Sequence, residues 1–290
     1  MQVGQTASIK RAFSQEDFNR FAALSGDDNP IHVDPEFSAR TKFGRTVAHG
    51  MLLYSAVGAA LGTQLPGPGT IQLAQELMFP SPTYTGEEVV VQLEVTQVRP
   101  EERWAELTTE VIRPDGSLGL RGQTRVRTPG GTRANASFVP APIQQADQQT
   151  APPFKGLKVG QQAATRRTFT VQDLAGYADL TGDTNPIFGD ADYAHRLGLA
   201  GPIIPGGLLG GLFSFLLGTR LPGQGTNYLK QWLAFVAPAY VNQALTATVE
   251  IVRIRPAKEL VNLRTVCTNP AGDIVCHGEA LVLASDVGVR

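Results

Sequence analysis

The tripeptide Val3-Gly4-Gln5 returns 156 positions later as Val159-Gly160-Gln161 (159 − 3). The same offset carries Arg11 onto Arg167, Phe13 onto Phe169 and Asp17 onto Asp173. It also carries Gly26-Asp27 onto Gly182-Asp183, Asn29-Pro30-Ile31 onto Asn185-Pro186-Ile187, Leu65-Pro66-Gly67 onto Leu221-Pro222-Gly223, and Arg99-Pro100 onto Arg255-Pro256. An offset that holds from one end of each half to the other means one fold used twice with little net insertion. A period this long is a duplicated domain, not a solenoid of short repeats. The duplication predicts a first domain over residues 1–128, a linker over 129–155 and a second domain over 156–290. The linker is rich in Pro, Gly and Gln and has no apolar period, so it reads as a connector between the two domains.

Each copy has the same local pattern. A short strand-like piece (Thr6–Phe13; Ala163–Phe169) leads to a helix N-cap at Ser14 or Thr170. In the first copy Asp17, three residues after the cap, suggests a capping box, and Phe18, Phe21, Ala22 and Leu24 are spaced for one helix face. After the Gly-Asp loop comes a short helical piece near Pro35–Thr41. A long run of apolar and small residues then follows, from Val47 to Leu65, which predicts a helix buried on nearly all sides. The period next falls to two, as expected of strands, over residues 89–98, 104–112 and 120–127, with Arg113-Pro114-Asp115-Gly116 as a hairpin turn. The second copy repeats this over residues 245–255, 260–268 and 274–283. The expected fold class is α+β, with an antiparallel sheet curled around a central helix in each half.

Composition narrows the partners. A formal net charge of −1 gives no electrostatic reason to expect nucleic acid or an anionic membrane surface. Leu197–Thr219 holds no charged residue, but Pro202, Pro205 and scattered glycines interrupt it, so it reads as a buried helix and not a membrane span. The first residues lack the apolar core of a signal peptide. Cys267 and Cys276 flank a turn and could face each other across a hairpin. They have no zinc-site spacing and read as two reduced, buried thiols of a cytoplasmic protein.

Two stretches carry candidate chemistry. In Ser25-Gly26-Asp27-Asp28-Asn29-Pro30-Ile31-His32, a carboxylate and an imidazole lie five residues apart on a segment that Gly26 and Pro30 keep from being a regular helix. Such a pair can hold one water between them and move its proton. Taken singly, Asp27 and Asn29 could equally be turn residues bonding local backbone. The repeat separates these readings: Gly, Asp, Asn and Pro recur in the second copy, whereas His32 is matched by Phe188 and His49 by Pro205. A residue kept in only one copy is not required by the shared fold. In the second stretch, Ala48-His49-Gly50-Met51, the Gly50 N–H stands at the start of the buried helix. There it lacks an intrahelical partner and nothing on its own residue obstructs approach, so it could stabilise an oxyanion. Gly50 could also be small merely for packing, and the His49 side chain could cap or orient.

These two stretches resemble the signatures of the MaoC-like dehydratases, the family of (R)-specific enoyl-CoA hydratases: Phe21 to His32 for the hydratase motif, and Phe43-Gly44-Arg45-Thr46-Val47-Ala48-His49-Gly50-Met51-Leu52 for the second. The resemblance implies a double hot dog, two tandem hot-dog domains that imitate a homodimer of single ones. It implies reversible syn addition of water across the 2,3 double bond of an acyl-CoA thioester to give the 3-hydroxyacyl thioester. Asp27, His32 and Gly50 would be the catalytic residues, and Asn29, His49 and Met51 would lie against the substrate. The second half, lacking both imidazoles, would not catalyse. No metal or redox cofactor is implied. The partners expected are an acyl-CoA thioester and, for assembly, a homodimer of double hot dogs. Several alternatives stay open: a short branched or dicarboxylic enoyl-CoA of the mesaconyl-CoA kind, a 3-hydroxyacyl-carrier-protein substrate, a thioesterase, or a non-catalytic acyl-CoA-binding protein. The Gly-rich run Ile203–Leu217 would suit an acyl tunnel in the disabled half, but a tightly packed core helix explains it equally well.

Overall fold

The computed structural model describes residues 1–128 and 154–287. The predicted linker, apart from its last two residues, lies outside the described residues. The first half runs β1 (Thr6–Ala12), α1 (Gln15–Ser25), α2 (Pro30–Val33), α3 (Pro35–Ala39), α4 (Gly50–Thr63), β2 (Ile71–Met78), β3 (Glu88–Arg99), β4 (Trp104–Ile112) and β5 (Leu118–Arg127). The second half runs β6 (Gln162–Thr168), α5 (Val171–Thr181), α6 (Ala191–Arg196), α7 (Gly206–Thr219), β7 (Asn227–Phe235), β8 (Ala244–Arg255), β9 (Leu260–Thr268) and β10 (Ile274–Leu283), with a 3₁₀ turn at Pro186–Phe188 in place of α2.

All ten strands form one antiparallel sheet in the order β1-β3-β4-β5-β2-β7-β10-β9-β8-β6. The order is a palindrome about β2 and β7, whose register runs Ala74↔Ala234 to Met78↔Lys230. Its central pair, Glu76↔Trp232, joins two residues that are themselves counterparts in the repeat. The halves are therefore related by a pseudo-twofold axis through that pair, as two protomers of a dimer would be. This is the double hot dog.

The core explains the arrangement. Helices α4 and α7 lie against each other inside the curved sheet, and one continuous apolar cluster runs through both halves. Leu52, Ala56, Val57 and Ala60 of α4 are fully buried, as are Leu208, Phe213 and Leu216 of α7. This is why neither helix shows a polar face in sequence. Glycines set their spacing: a Cβ on Gly207 would collide with Ser55, and one on Gly210 would lie 2.5 Å from Met51 Sδ. These glycines of the Ile203–Leu217 run thus serve close helix packing. Among the described residues no helix is long and apolar enough to cross a membrane.

The N-caps Ser14 and Thr170 and the Ser14/Asp17 capping box form as the sequence predicts, and Thr170/Asp173 forms a second box. Two elements differ. The central helix begins at Gly50, not Val47, because Val47 pairs with Tyr84 and the Ala48 N–H donates to Thr83 O at 2.7 Å; this extended pairing is incompatible with helix. Strands β2 and β7, which join the halves, have no two-residue period. Gln75 and Gln231 occupy fully interior positions, each amide donating to a backbone carbonyl and to a threonine hydroxyl (Thr109, Thr265). Cys267 and Cys276 stand in register on β9 and β10 as free, buried thiols.

Candidate active site

Helix α1 ends at Gly26, whose φ of 85° reverses the chain while its N–H still bonds Ala22 O. A side-chain Cβ disfavours that left-handed conformation, which is the reason for glycine here. Ser25 Oγ then accepts from the Asp27 N–H at 3.2 Å, and Asn29 caps α2 with Pro30 at its first position. This tight sequence of caps puts Asp27, Asn29 and His32 on one wall, all buried.

The protonation of both histidines follows from their partners. His32 Nδ1 lies 2.7 Å from Val47 O. A carbonyl only accepts, so Nδ1 carries the proton and neutral His32 offers a lone pair at Nε2. His49 Nε2 likewise donates to Asp27 O at 2.8 Å, which ties the Asp27 loop to the start of α4. The two rings stack at 3.9 Å and 29°. Burial pushes both histidines below their ordinary value, opposed at His32 by the Asp27 charge. Burial raises the Asp27 carboxyl, with His32, Ser214 and the Asn29 N–H pulling it back.

The second half completes the site. Ser214 of α7 donates to Asp27 Oδ2 at 2.6 Å, leaving Oδ1 buried without a partner. Asp27 and His32 line a cavity of about 150 Å³, walled by Asn29, Gly50, Leu53 and Thr83 from the first half and by Ser214, Leu217, Gly218, Thr226 and Tyr228 from the second. Thr83 Oγ1 and Thr226 Oγ1 are also buried and unpartnered. Asp27 Oδ1, Thr83 Oγ1 and Thr226 Oγ1 are thus three buried, unpartnered oxygens on residues that line one cavity. Gly50 is the first residue of α4, where its N–H has no intrahelical acceptor. A Cβ there would come within 2.7 Å of the Phe79 ring, so packing also demands glycine at this position.

Two of the sequence candidates lie off the cavity wall. His49 sits behind His32 and Asp27, fully buried. Met51 is fully buried where α4 meets Gly210 of α7. Conversely, Ser214, Thr226 and Tyr228 were not singled out from the sequence. The offset pairs Ser214 with Gly58, the kind of mismatch that marks His32 against Phe188.

Asp27, His32 and His49 have the composition of a metal site, with ligand atoms within 4.8 Å of one another. The stacked rings, however, carry their in-plane lone pairs side by side, not converging on a point about 2.0–2.1 Å from each nitrogen. Asp27 and His32, the two of the three that line the cavity, suit a water or substrate oxygen.

At the symmetry-related place, Asp183 and Asn185 repeat the loop, Phe188 replaces His32, and Pro205 precedes Gly206 at the start of α7. Gly58 faces Asp183 where Ser214 faces Asp27.

Residues 2–113 and 155–269 match the family described as MaoC like domain, and the chain belongs to that family. Over 129 residues, 44% of this chain, it is 43% identical to the (R)-specific enoyl-CoA hydratase of Aeromonas caviae, covering 96% of that protein. It is 40% identical over 129 residues to the 3-hydroxybutyryl-CoA dehydratase of Methylorubrum extorquens, 82% of that protein. Among solved structures, a MaoC-like dehydratase superposes with a TM-score of 0.75 at 18% identity, covering 97% of this chain and 98% of the other. A Mycobacterium tuberculosis protein described as having a double hotdog fold gives 0.73 at 16% identity, covering 98% and 96%.

Proposed function

We propose that this chain is a hydro-lyase that reversibly hydrates a trans-2-enoyl-CoA to the (R)-3-hydroxyacyl-CoA. The observation that supports it most directly is the placement of the unpaired Asp27 Oδ1 and the His32 Nε2 lone pair on one cavity wall, with the Gly50 N–H on the same cavity. Water donates one hydrogen to His32 Nε2 and is oriented by Asp27 Oδ1, which Ser214 steadies through Oδ2. Its oxygen attacks C3 as His32 takes the proton. The π electrons pass through C2 to the thioester oxygen, where the Gly50 N–H at the positive end of α4 meets the developing charge. The proton then returns from the same pair to C2, so oxygen and hydrogen add to one face. Asn29 holds the Asp27–His32 turn. His49, donating to Asp27 O and stacked on His32, is a positioning residue. A positioned acid/base gives roughly 10²–10⁴-fold, and an oxyanion donor roughly 10²–10³-fold.

The test is a panel of trans-2-enoyl-CoA esters of increasing length, with chiral analysis of the product. Hydration to the (R)-3-hydroxy thioester is expected on at least one member. No hydration on any would overturn the reading, and release of free CoA without hydroxyacyl product would replace it with a thioesterase. Assembly as a homodimer of double hot dogs is part of the proposal and is read by light scattering.

A further inference from the structure

The symmetry-related cavity encloses about 760 Å³, against about 150 Å³ for the first. This falls in the range of about 300–1,000 Å³ typical of small-molecule sites. The two cavities share no lining residue. The walls of the larger one are mostly apolar, with Leu61, Phe188, Leu199, Ile203 and Leu209 among them. Its polar groups suit a carbonyl. Gly206 is the first residue of α7, so its N–H has no intrahelical acceptor. The Gln72 side chain reaches the same spot, its Oε1 2.9 Å from where a Gly206 Cβ would stand, while its Nε2 is buried without an acceptor. Gln72 Oε1 is occupied by the Tyr54 hydroxyl, which fixes the amide with Nε2 as its remaining donor. The cavity lacks the imidazole and hydroxyl of the first: Phe188 and Gly58 stand where the first has His32 and Ser214, and Asp183 stands where the first has Asp27. Asp183 and Arg127 also line the cavity.

We propose that the second cavity is a non-catalytic binding site for an acyl-CoA thioester, with the acyl chain on the apolar walls and the thioester carbonyl between the Gly206 N–H and the Gln72 amide. The choice of thioester rests on the proposed hydratase function; the existence of a second site does not. The probe is decanoyl-CoA, which has no double bond to hydrate, titrated calorimetrically into the full chain. Two molecules per chain are expected for the wild type. Leu199→Trp, which fills the cavity, should bind one molecule, its second site weakened at least tenfold, while hydration of crotonyl-CoA stays within twofold. Phe188→Trp is the second variant should Leu199→Trp not fold. One binding event in the wild type overturns the proposal, as do two events that survive the filling variants. A single event together with a KM raised by Leu199→Trp for 2-decenoyl-CoA but not crotonyl-CoA would make the cavity an extension of the first site, and the inference wrong. Two binding events without hydration of any enoyl-CoA would remove the proposed function and leave this site standing.

Discussion

The loops Ser25–His32 and Thr181–Phe188 are nearly the same object in backbone and very different in what they present. Both end a helix on a left-handed glycine (φ 85° and 75°), both bury their aspartate, and both use asparagine to cap the next turn. Only the first adds an imidazole with a free lone pair and a serine hydroxyl from the opposite helix. The shared residues therefore make the turn, and the unshared ones are those the proposed reaction uses. Asp27 belongs to both sets, since Asp183 shows that the fold keeps an aspartate even where no histidine stands beside it. Burial pushes Asp183 up to about 7, with the Asn185 N–H pulling it back.

The sharpest way to break this division is to remove its unshared half. Asp27→Asn and His32→Ala are each expected to lower kcat/KM on enoyl-CoA by roughly 10²–10⁴-fold, with thermal unfolding little changed for Asp27→Asn. Full activity in both would show that the water is held elsewhere.

Ser214→Ala asks whether the contribution across the pseudo-twofold axis matters. A hydrogen bond to a charged group contributes about 1.5–3 kcal/mol, so kcat/KM should fall about 10–100-fold. Because Ser214 acts through Asp27, the pH profile should shift as well, and Ser214→Thr should restore much of the activity. A loss with an unmoved pH profile would mean that Ser214 serves packing alone.

That serine also marks where the sequence stopped being readable. Caps, hairpins and the central helix rest on local rules, and Ser14/Asp17, Arg113–Gly116 and the apolar run containing α4 announced them. That His32 stands apart from the turn residues is visible in the sequence because a duplicated chain carries its own control in Phe188, and Asp27 and His32 do line one cavity. Strands β2 and β7 were not legible: Gln75 and Gln231 break the alternation, and their amides are satisfied by Thr109 and Thr265, more than thirty residues away. Ser214 looked like one hydroxyl among apolar residues of a buried helix. Its meaning depends on α7 crossing into the other half's site, which no local pattern encodes. Met51 is the converse, a residue beside Gly50 in sequence whose side chain packs against Gly210 at the helix interface.

A smaller effect separates the two sites by pH. In the first, the proposed reaction needs the His32 Nε2 lone pair, and protonation removes it. Burial opposes that protonation and lowers the histidine below its ordinary 6.5. The acid limb of kcat/KM, a property of the Asp27–His32 pair, should therefore fall below pH 6.5. A limb at or above that value would mean the imidazolium is stabilised in the site, and His32 would not be the base.

The smallest effect on turnover is expected from Asp183→Asn, and it falls on stability instead. Between the ordinary carboxylate value of 3.8 and about 7, the folded chain keeps a proton on Asp183 that the unfolded chain has released. The folded state binds more protons in that window, so this group's contribution to stability declines as pH rises through it. Asparagine stays neutral at every pH and still offers Oδ1 to the Asn185 N–H, which now bonds Asp183 Oδ1 at 3.3 Å. Asp183→Asn should match the wild-type Tm near pH 4 and exceed it by pH 8, with kcat/KM within twofold throughout. A tenfold loss of turnover with an intact unfolding transition would show that the second loop takes part in the reaction, and the division between turn and chemistry would have to be redrawn.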